Sequence, residues 1–380
     1  MRLTFSVGFL LLIQSLIAQV VPSVREEHYF VVGTYDSPKS EGIYVYKFNS
    51  ADGSAEKISF VKTPNPSFVT VSPDGQFVYA VSETAPQDGK GGDIASFSFN
   101  KQTGMLTFIN RQFSGGDHPC HVEIDKTGKW LFTSNYSSGT LTVLPVNDDG
   151  SLAPATTRIQ HTGSGKNLLR QKGPHTHGAI ISGDNRHLFV TDLGIDKLML
   201  YDFDAATGKL IPADPSFALS EPGSGPRLFT FHPTNKYAYV IEELSGTVVV
   251  FKYQDGKLEK KQRISTLPAG DTSFAGSADI HVSQDGKFLY ASNRGDVNTI
   301  AIYRVQKKNG KLTLVGHQST LGKTPRNFSI DPSGKFLLCE NQNSDEIVIF
   351  TRDTITGLLS DSGKRVAVGK PVCIKWVSVE

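Results

Sequence analysis

The sequence predicts an all-β chain folded as a seven-bladed β-propeller of four-stranded antiparallel blades. Two observations predict it. A hairpin motif recurs six times at near-constant spacing, and the two ends of the chain supply the strands of a seventh copy. A third observation supports them: no stretch carries the 3.6-residue apolar period of an amphipathic helix.

Each hairpin opens on a small or ring-bearing residue, runs through an apolar strand, turns tightly, and returns through a second apolar strand to a polar residue. The copies are Pro66–Glu83, His118–Asn135, Pro174–Asp192, Pro226–Glu242, Ala278–Asn293 and Pro325–Asn341. Their turns are Asp74-Gly75, Thr127-Gly128, Asp184-Asn185, Thr234-Asn235, Asp285-Gly286 and Ser333-Gly334, where Gly or Asn accepts positive φ. Counted between the second turn residues, the steps are 53, 57, 50, 51 and 48 residues.

A third, alternating strand follows: Thr140–Val146, Lys197–Phe203, Thr247–Tyr253, Thr299–Val305 and Glu346–Thr351. A less apolar fourth completes the unit, as in Lys257–Ile264 and Lys311–His317. At the ends, Tyr29–Thr34 reads as a second strand, Gly42–Phe48 as a third, and Pro371–Val377 as a first strand without its partner. Joining them closes the ring and removes its free edges. A six- or eight-bladed ring is the alternative count.

At 380 residues the chain exceeds one ordinary core and suits a repeat architecture. Lys and Arg number 39 against 37 Asp and Glu, with no basic or acidic block, so nucleic acid is not an expected partner. Arg2, the apolar run Phe5–Ile17 and Ala18 read as a secretory signal peptide over residues 1–18, which predicts a secreted or periplasmic protein. The run is shorter than the roughly 20 apolar residues of a membrane span; an uncleaved anchor is the alternative. Residues 19–28 form an extension and 29–380 the propeller, expected to act as a monomer. Cys120, Cys339 and Cys373 are expected as buried free thiols, with one Cys339–Cys373 bridge as the alternative.

In such a blade the first strand is innermost and the second runs back beside it. The start of one and the end of the other share a face of the ring. Starts carry His118, His121, His175, His177, Arg227, His281 and Arg326. Ends carry Glu83, Asn135, Asp192, Glu242, Glu243, Asn293, Arg294 and Asn341. Converging on one axis, they predict a polar pocket for a small molecule. Each also has a plain structural reading. The end-of-strand Asn and Asp residues can bond turn amides. His121 and His281 can pack between blades, and Arg227 and Arg326 can bridge them. His175 and His177, two apart on a strand, point the same way. No third metal ligand stands at a usual spacing, so no metal is expected. No cofactor is expected either, because the chain has no P-loop and no dinucleotide fingerprint. It also lacks the GxSxG elbow of serine hydrolases. His161, His187, His232 and His317 fall on outer positions or turns and are expected to be solvated.

These residues sit in HPCHV (118–122), SNYSSGTLTVLPV (134–146), RQKGPHTHG (170–178), TDLGIDKLMLYDFD (191–204), GSGPRLFTFHP (223–233), EELSGTVVVFKY (242–253), ASNRG (291–295) and TPRNFSIDPSGKFL (324–337). In this order the motifs resemble the seven-bladed propeller lactonase family, which includes 6-phosphogluconolactonases and carboxy-cis,cis-muconate cyclase. The resemblance runs from about Tyr29 to Val379. It implies a functional His at His175 or His177, with Arg227, Glu243 and Arg294 beside it. Arg170, His121, Asn135, Asp192, His281, Arg326 and Asn341 are the expected substrate contacts. The chain departs from the family at Glu242, where Asn is common, at Leu228, where His is common, at Gly178, where Ser is usual, and in its signal peptide.

The implied activity is hydrolysis of a sugar-acid lactone. The His or Glu243 would take a proton from water, and the arginines would hold an oxyanion, carboxylate or phosphate. Between two arginines Glu243 is expected to stay ionised, which favours His as the proton carrier. A muconate-type lactonising cycloisomerase is a second reading of the same pocket. A non-catalytic binding propeller is a third, favoured if the charged residues lie too far apart for one small substrate.

Overall fold

The structure is a computed structural model that describes residues 27–85 and 91–377. The predicted signal peptide lies outside these residues. Seven four-stranded antiparallel sheets form the blades, each running from an inner first strand to an outer fourth. Blade one spans residues 69–113, blade two 119–160, blade three 176–219, blade four 226–265, blade five 277–319 and blade six 325–367. Blade seven takes its inner strand, Pro371–Val377, from one end of the chain. Its other three, Glu27–Thr34, Gly42–Asn49 and Ser54–Lys62, come from the other end. The two ends pair antiparallel, with Val31 opposite Lys375 and Gly33 opposite Cys373. The expected closure and count of seven therefore hold. The inner strands of successive blades touch one another around the whole circle.

The hairpin turns follow from local chemistry. In blade two Gly128 sits at φ 74°, and Asp125 accepts the amides of Thr127, Lys129 and Trp130. Asn185 and Asn235 take the same left-handed place in blades three and four, at φ 61° and 54°.

Blades adhere through apolar faces and a recurring latch. The Phe189 ring of blade three stacks on Phe229 of blade four at 5.0 Å. Fully burying such a ring stabilises by about 2–3 kcal/mol. The latch lies where the outer turn of one blade meets the second strand of the blade before it. Trp130 of blade two donates its indole N–H to the Ala205 carbonyl of blade three at 2.9 Å. Gly208 in the same turn, at φ 72°, lies so close that a Cβ would come within 2.2 Å of the Trp130 ring. Tyr239 and Tyr290 repeat the latch by donating to the Gly310 and Gly357 carbonyls of the next blade.

Cys120, Cys339 and Cys373 are free and buried, so the alternative bridge does not form. Two histidines expected in solvent are buried instead. His161 lies between Asp192, at 2.7 Å, and the Tyr201 hydroxyl, at 3.0 Å. His232 is held by Thr234 and by the Gly286 carbonyl of the next blade. Outer segments and turns lie against neighbouring strands, so an outer position is not a solvated one.

Candidate active site at the start of the inner strands

Two rings of residues build the site, and both follow from strand register. Where the inner strands of blades two to seven begin, the ladder skips one or two residues. Pro119 faces Asn135 and His121 faces Ser134, leaving Cys120 unpaired. The same bulge leaves out His177, Arg227, Arg326 and Val372, and blade five skips Ala278 and Asp279. A bulge re-aims the side chain it leaves out. By register with these, Ser67 is the counterpart in blade one, because Val81 N–H bonds the carbonyl of Phe68.

The second ring is the residue just past the end of each second strand: Tyr35, Glu83, Tyr136, Leu193, Glu243, Arg294 and Gln342. A repeated backbone bond fixes it. Glu243 N–H reaches Gly225 O, Tyr136 N–H reaches His118 O, and Glu83 N–H reaches Asn65 O. Tyr35, Leu193 and Gln342 make the equivalent bond.

Glu243 organises one arc of these rings. Its Oε1 accepts Arg170 Nη2 at 2.8 Å, and its Oε2 lies 2.8 Å from Arg294 Nη2. Arg227 Nε stands 3.2 Å from Oε2, an ion-pair distance without hydrogen-bond alignment. Burial alone would raise the Glu243 pKa. Arg294, Arg227 and Arg170 outweigh it and hold the carboxyl at about 2. Arg227 is itself buried, which pushes its pKa down to about 9 with help from Arg294 and Arg326. It is still a cation at neutral pH, and its Nη1 donates to the Ala278 carbonyl of the next blade. Arg294 is steadied by the Gly276 carbonyl at 2.9 Å. Arg170 arrives from the connection between blades two and three and also donates to the Tyr136 hydroxyl at 3.2 Å. The neighbouring Gln171, buried and bonded to Leu193 O and Asp196, anchors that connection.

His177 is the bulged residue of blade three. It is buried, its Nδ1 has no partner among the described residues, and its ring meets Tyr136 edge-on at 5.7 Å. Burial first, then Arg227, Arg326 and Arg294, push its pKa well below the ordinary histidine value. It is therefore neutral at physiological pH. His175 stacks on the face of the same tyrosine at 4.5 Å, with Nδ1 2.9 Å from the Tyr136 carbonyl. On the opposite arc Arg326 lies 3.8 Å from Glu83 Oε2 and over the Tyr35 ring.

The sequence-predicted residues thus divide. Arg170, Arg227 and Arg294 each meet Glu243. His177 shares their field, His175 borders it through Tyr136, and Arg326 faces it. Asn135, Asp192 and Asn341 serve the frame. Asn135 and Asn341 donate to the Ser114 and Thr320 carbonyls of the connection behind their own blade. Asp192 holds His161 and the His175 and Gly194 amides. They end the second strand, and the next residue is the one that turns to the rings. His121 sits one residue beyond the bulge against the Phe68 ring at 4.3 Å, and burial lowers its pKa to about 3. His281 pairs with Asp279 at 2.9 Å, and Asp279 also takes the amides of Asn327 and Phe328 in blade six. That makes it a tie between blades. Tyr136, Tyr35 and Ser67 were missed by residue type. The one-residue offset past the polar strand end, and the residue after the proline, would have found them.

Residues 29–376 match the family model described as lactonase, 7-bladed beta-propeller. The chain is 40% identical over 342 residues to a 6-phosphogluconolactonase of Formosa agariphila, covering 89% of this chain and 96% of that one. It is 38% identical over 350 residues to a 6-phosphogluconolactonase of Bacillus subtilis, covering 91% and 97%. Among solved structures it superposes on the periplasmic gluconolactonase of Pseudomonas aeruginosa with a TM-score of 0.87 and 37% identity, over 93% of this chain and all of that one. With the ring of seven blades and the arginine–glutamate cluster in place, this chain belongs to the seven-bladed β-propeller lactonase family.

Proposed function

We propose that the protein hydrolyses a sugar-acid lactone at the rings described above, by general acid/base chemistry of its own side chains. The observation that carries the proposal is the Glu243 cluster. Three guanidiniums fixed on one buried carboxylate form a preorganised cationic wall beside a neutral histidine. Counting Arg326 and Glu83, four guanidiniums face two carboxylates, a net positive charge of two. Attack of water on a lactone carbonyl builds negative charge on the carbonyl oxygen, and fixed donors stabilise it without reorganising. Arg227 and Arg294 are assigned that role. Glu243 is the group that holds them, because both of its oxygens already face guanidiniums. The neutral imidazole of His177 is assigned the proton, passing it from water to the ring oxygen as the C–O bond opens. The contact of three of these residues with one carboxylate puts them within reach of one small substrate, which counts against a purely scaffolding propeller.

The names of the two 6-phosphogluconolactonases and the periplasmic gluconolactonase point to an aldonolactone as substrate. The N-terminal apolar run and the periplasmic relative support export. The test is hydrolysis of aldonolactones, with and without a phosphate, by the purified chain and its Arg227→Ala variant. The wild type is expected to open at least one of them, with kcat/KM reduced by about 10²–10³ in the variant. Full activity in Arg227→Ala would sink the assignment.

A further inference from the structure

We infer that the arc opposite Glu243 is a hydroxyl-recognition subsite, in which the Glu83 carboxylate selects polyhydroxylated lactones over plain ones. The inference rests on the lactonase reading and deepens it by assigning the part of the substrate away from the reacting carbonyl.

The four residues concerned are ring members from three blades. Glu83 and Tyr35 stand just past their second strands, and Ser67 and Arg326 stand at the starts of their inner strands. The Tyr35 hydroxyl donates to Glu83 Oε2 at 2.7 Å, and the Ser67 hydroxyl donates to the same oxygen. Arg326 Nη2 is 3.8 Å from that oxygen, and its guanidinium lies 5.3 Å from the centre of the Tyr35 ring. Among the described residues every hydrogen bond and ion pair of the Glu83 side chain falls on Oε2. The carboxylate is thus pinned in orientation by one oxygen while Oε1 carries none of these contacts. Glu83 keeps 14% of its side-chain surface and Arg326 16%, so the pair is sheltered but open to a ligand.

This chemistry differs from that of the first arc. Glu243 is saturated by guanidiniums on both oxygens. Glu83 is steadied mainly by hydroxyls on one oxygen, which fix its geometry without neutralising its charge. A fixed carboxylate oxygen is an acceptor for ligand O–H groups, and an adjacent guanidinium donates to their oxygens. Vicinal hydroxyls of an open or cyclic sugar acid satisfy both at once. A lactone without hydroxyls leaves both desolvated groups unpaired, which is how a polar site rejects a ligand that lacks its partner. Arg326 holds the same bulged position at the start of its inner strand as Arg227 and His177 hold in theirs, so this arc and the reaction centre belong to one ring of residues.

The experiment compares wild type, Glu83→Gln and Tyr35→Phe. Each is assayed on the aldonolactone it hydrolyses best and on δ-valerolactone, the same ring without hydroxyls. Each is also titrated by calorimetry with D-gluconate and 6-phospho-D-gluconate. Melting curves establish that the variants are folded. Glu83→Gln is expected to lower kcat/KM for the aldonolactone at least tenfold, mostly through KM. The ratio of kcat/KM on the aldonolactone to that on δ-valerolactone should fall about tenfold, and aldonate binding should weaken by a similar tenfold. Tyr35→Phe is expected to move the same quantities in the same direction by less. An equal loss on both lactones, or unchanged aldonate binding in Glu83→Gln, overturns the subsite. A wild type that opens no lactone overturns the lactonase reading instead. Calorimetry then still decides the subsite, since aldonates bound by wild type and lost in Glu83→Gln uphold it, and aldonates bound by neither overturn it.

Discussion

Replacing Glu243 by Gln keeps the shape of the side chain and removes the charge that Arg170, Arg227 and Arg294 share. Two routes give the size of the effect. The carboxyl sits at about 2 against an ordinary 4.5, a separation worth roughly 3 kcal/mol of native-state stability. Removing one partner from a buried ion pair costs about 3–5 kcal/mol. The pH dependence follows from the sign. The folded value is depressed, so the contribution is complete above about pH 4.5 and is lost as pH falls toward about 2. Urea denaturation of wild type and Glu243→Gln, at one salt concentration, is expected to show a gap of roughly 3 kcal/mol at pH 7 and under ~2 kcal/mol at pH 3. Equal stability at pH 7, or a gap that does not shrink in acid, would refute the view that the arginines hold Glu243 ionised.

Other outcomes follow from the same geometry. Since burial and three arginines keep His177 neutral, kcat/KM is expected to show no histidine limb near pH 6.5. A limb there that disappears in His177→Asn would contradict the assigned environment. Asn341→Ala removes a frame contact, so it is expected to lower stability by about 1–2 kcal/mol and leave kcat/KM unchanged. A selective loss of activity would return Asn341 to the site. Gly208→Ala puts a Cβ at φ 72° and 2.2 Å from the Trp130 ring. It is expected to cost about 2 kcal/mol or more, read as a lowered Tm; an unchanged Tm would mean the latch is loose.

The fold was legible because its unit is short and its turns are chemically marked. Asp74-Gly75 and its counterparts announce each hairpin, and the stray strand Pro371–Val377 finds its partner in Glu27–Thr34. The site was legible by residue type and less so by position. Arg227, Glu243 and Arg294 stood out as charges that a structural blade does not need. Asn135, Asp192 and Asn341 were equally polar and sit one residue short of the ring. A strand reverses the direction of its side chains at every step. Alternation alone cannot show where a bulge or a strand end resets that count, and the pairing Pro226↔Glu242 followed by Leu228↔Ile241 does. The same bulge separates His175 from His177, which the sequence treated as equivalent.

Blade seven carries a consequence for how the protein responds to what it binds. Gly33 and Cys373 meet across a strand pair while 339 positions separate them in the sequence. The ring therefore stays an open arc of six blades until that pair forms. Arg326 belongs to blade six, and its guanidinium comes within 3.8 Å of Glu83 in blade one, on the far side of the seam. A molecule that rests on both residues touches two blades that come within its reach only when the circle is shut. Its binding energy then adds to closure, and the concentration of that molecule sets how often the seam opens. Occupancy and ring integrity become two readings of one equilibrium, joined at a single ion pair.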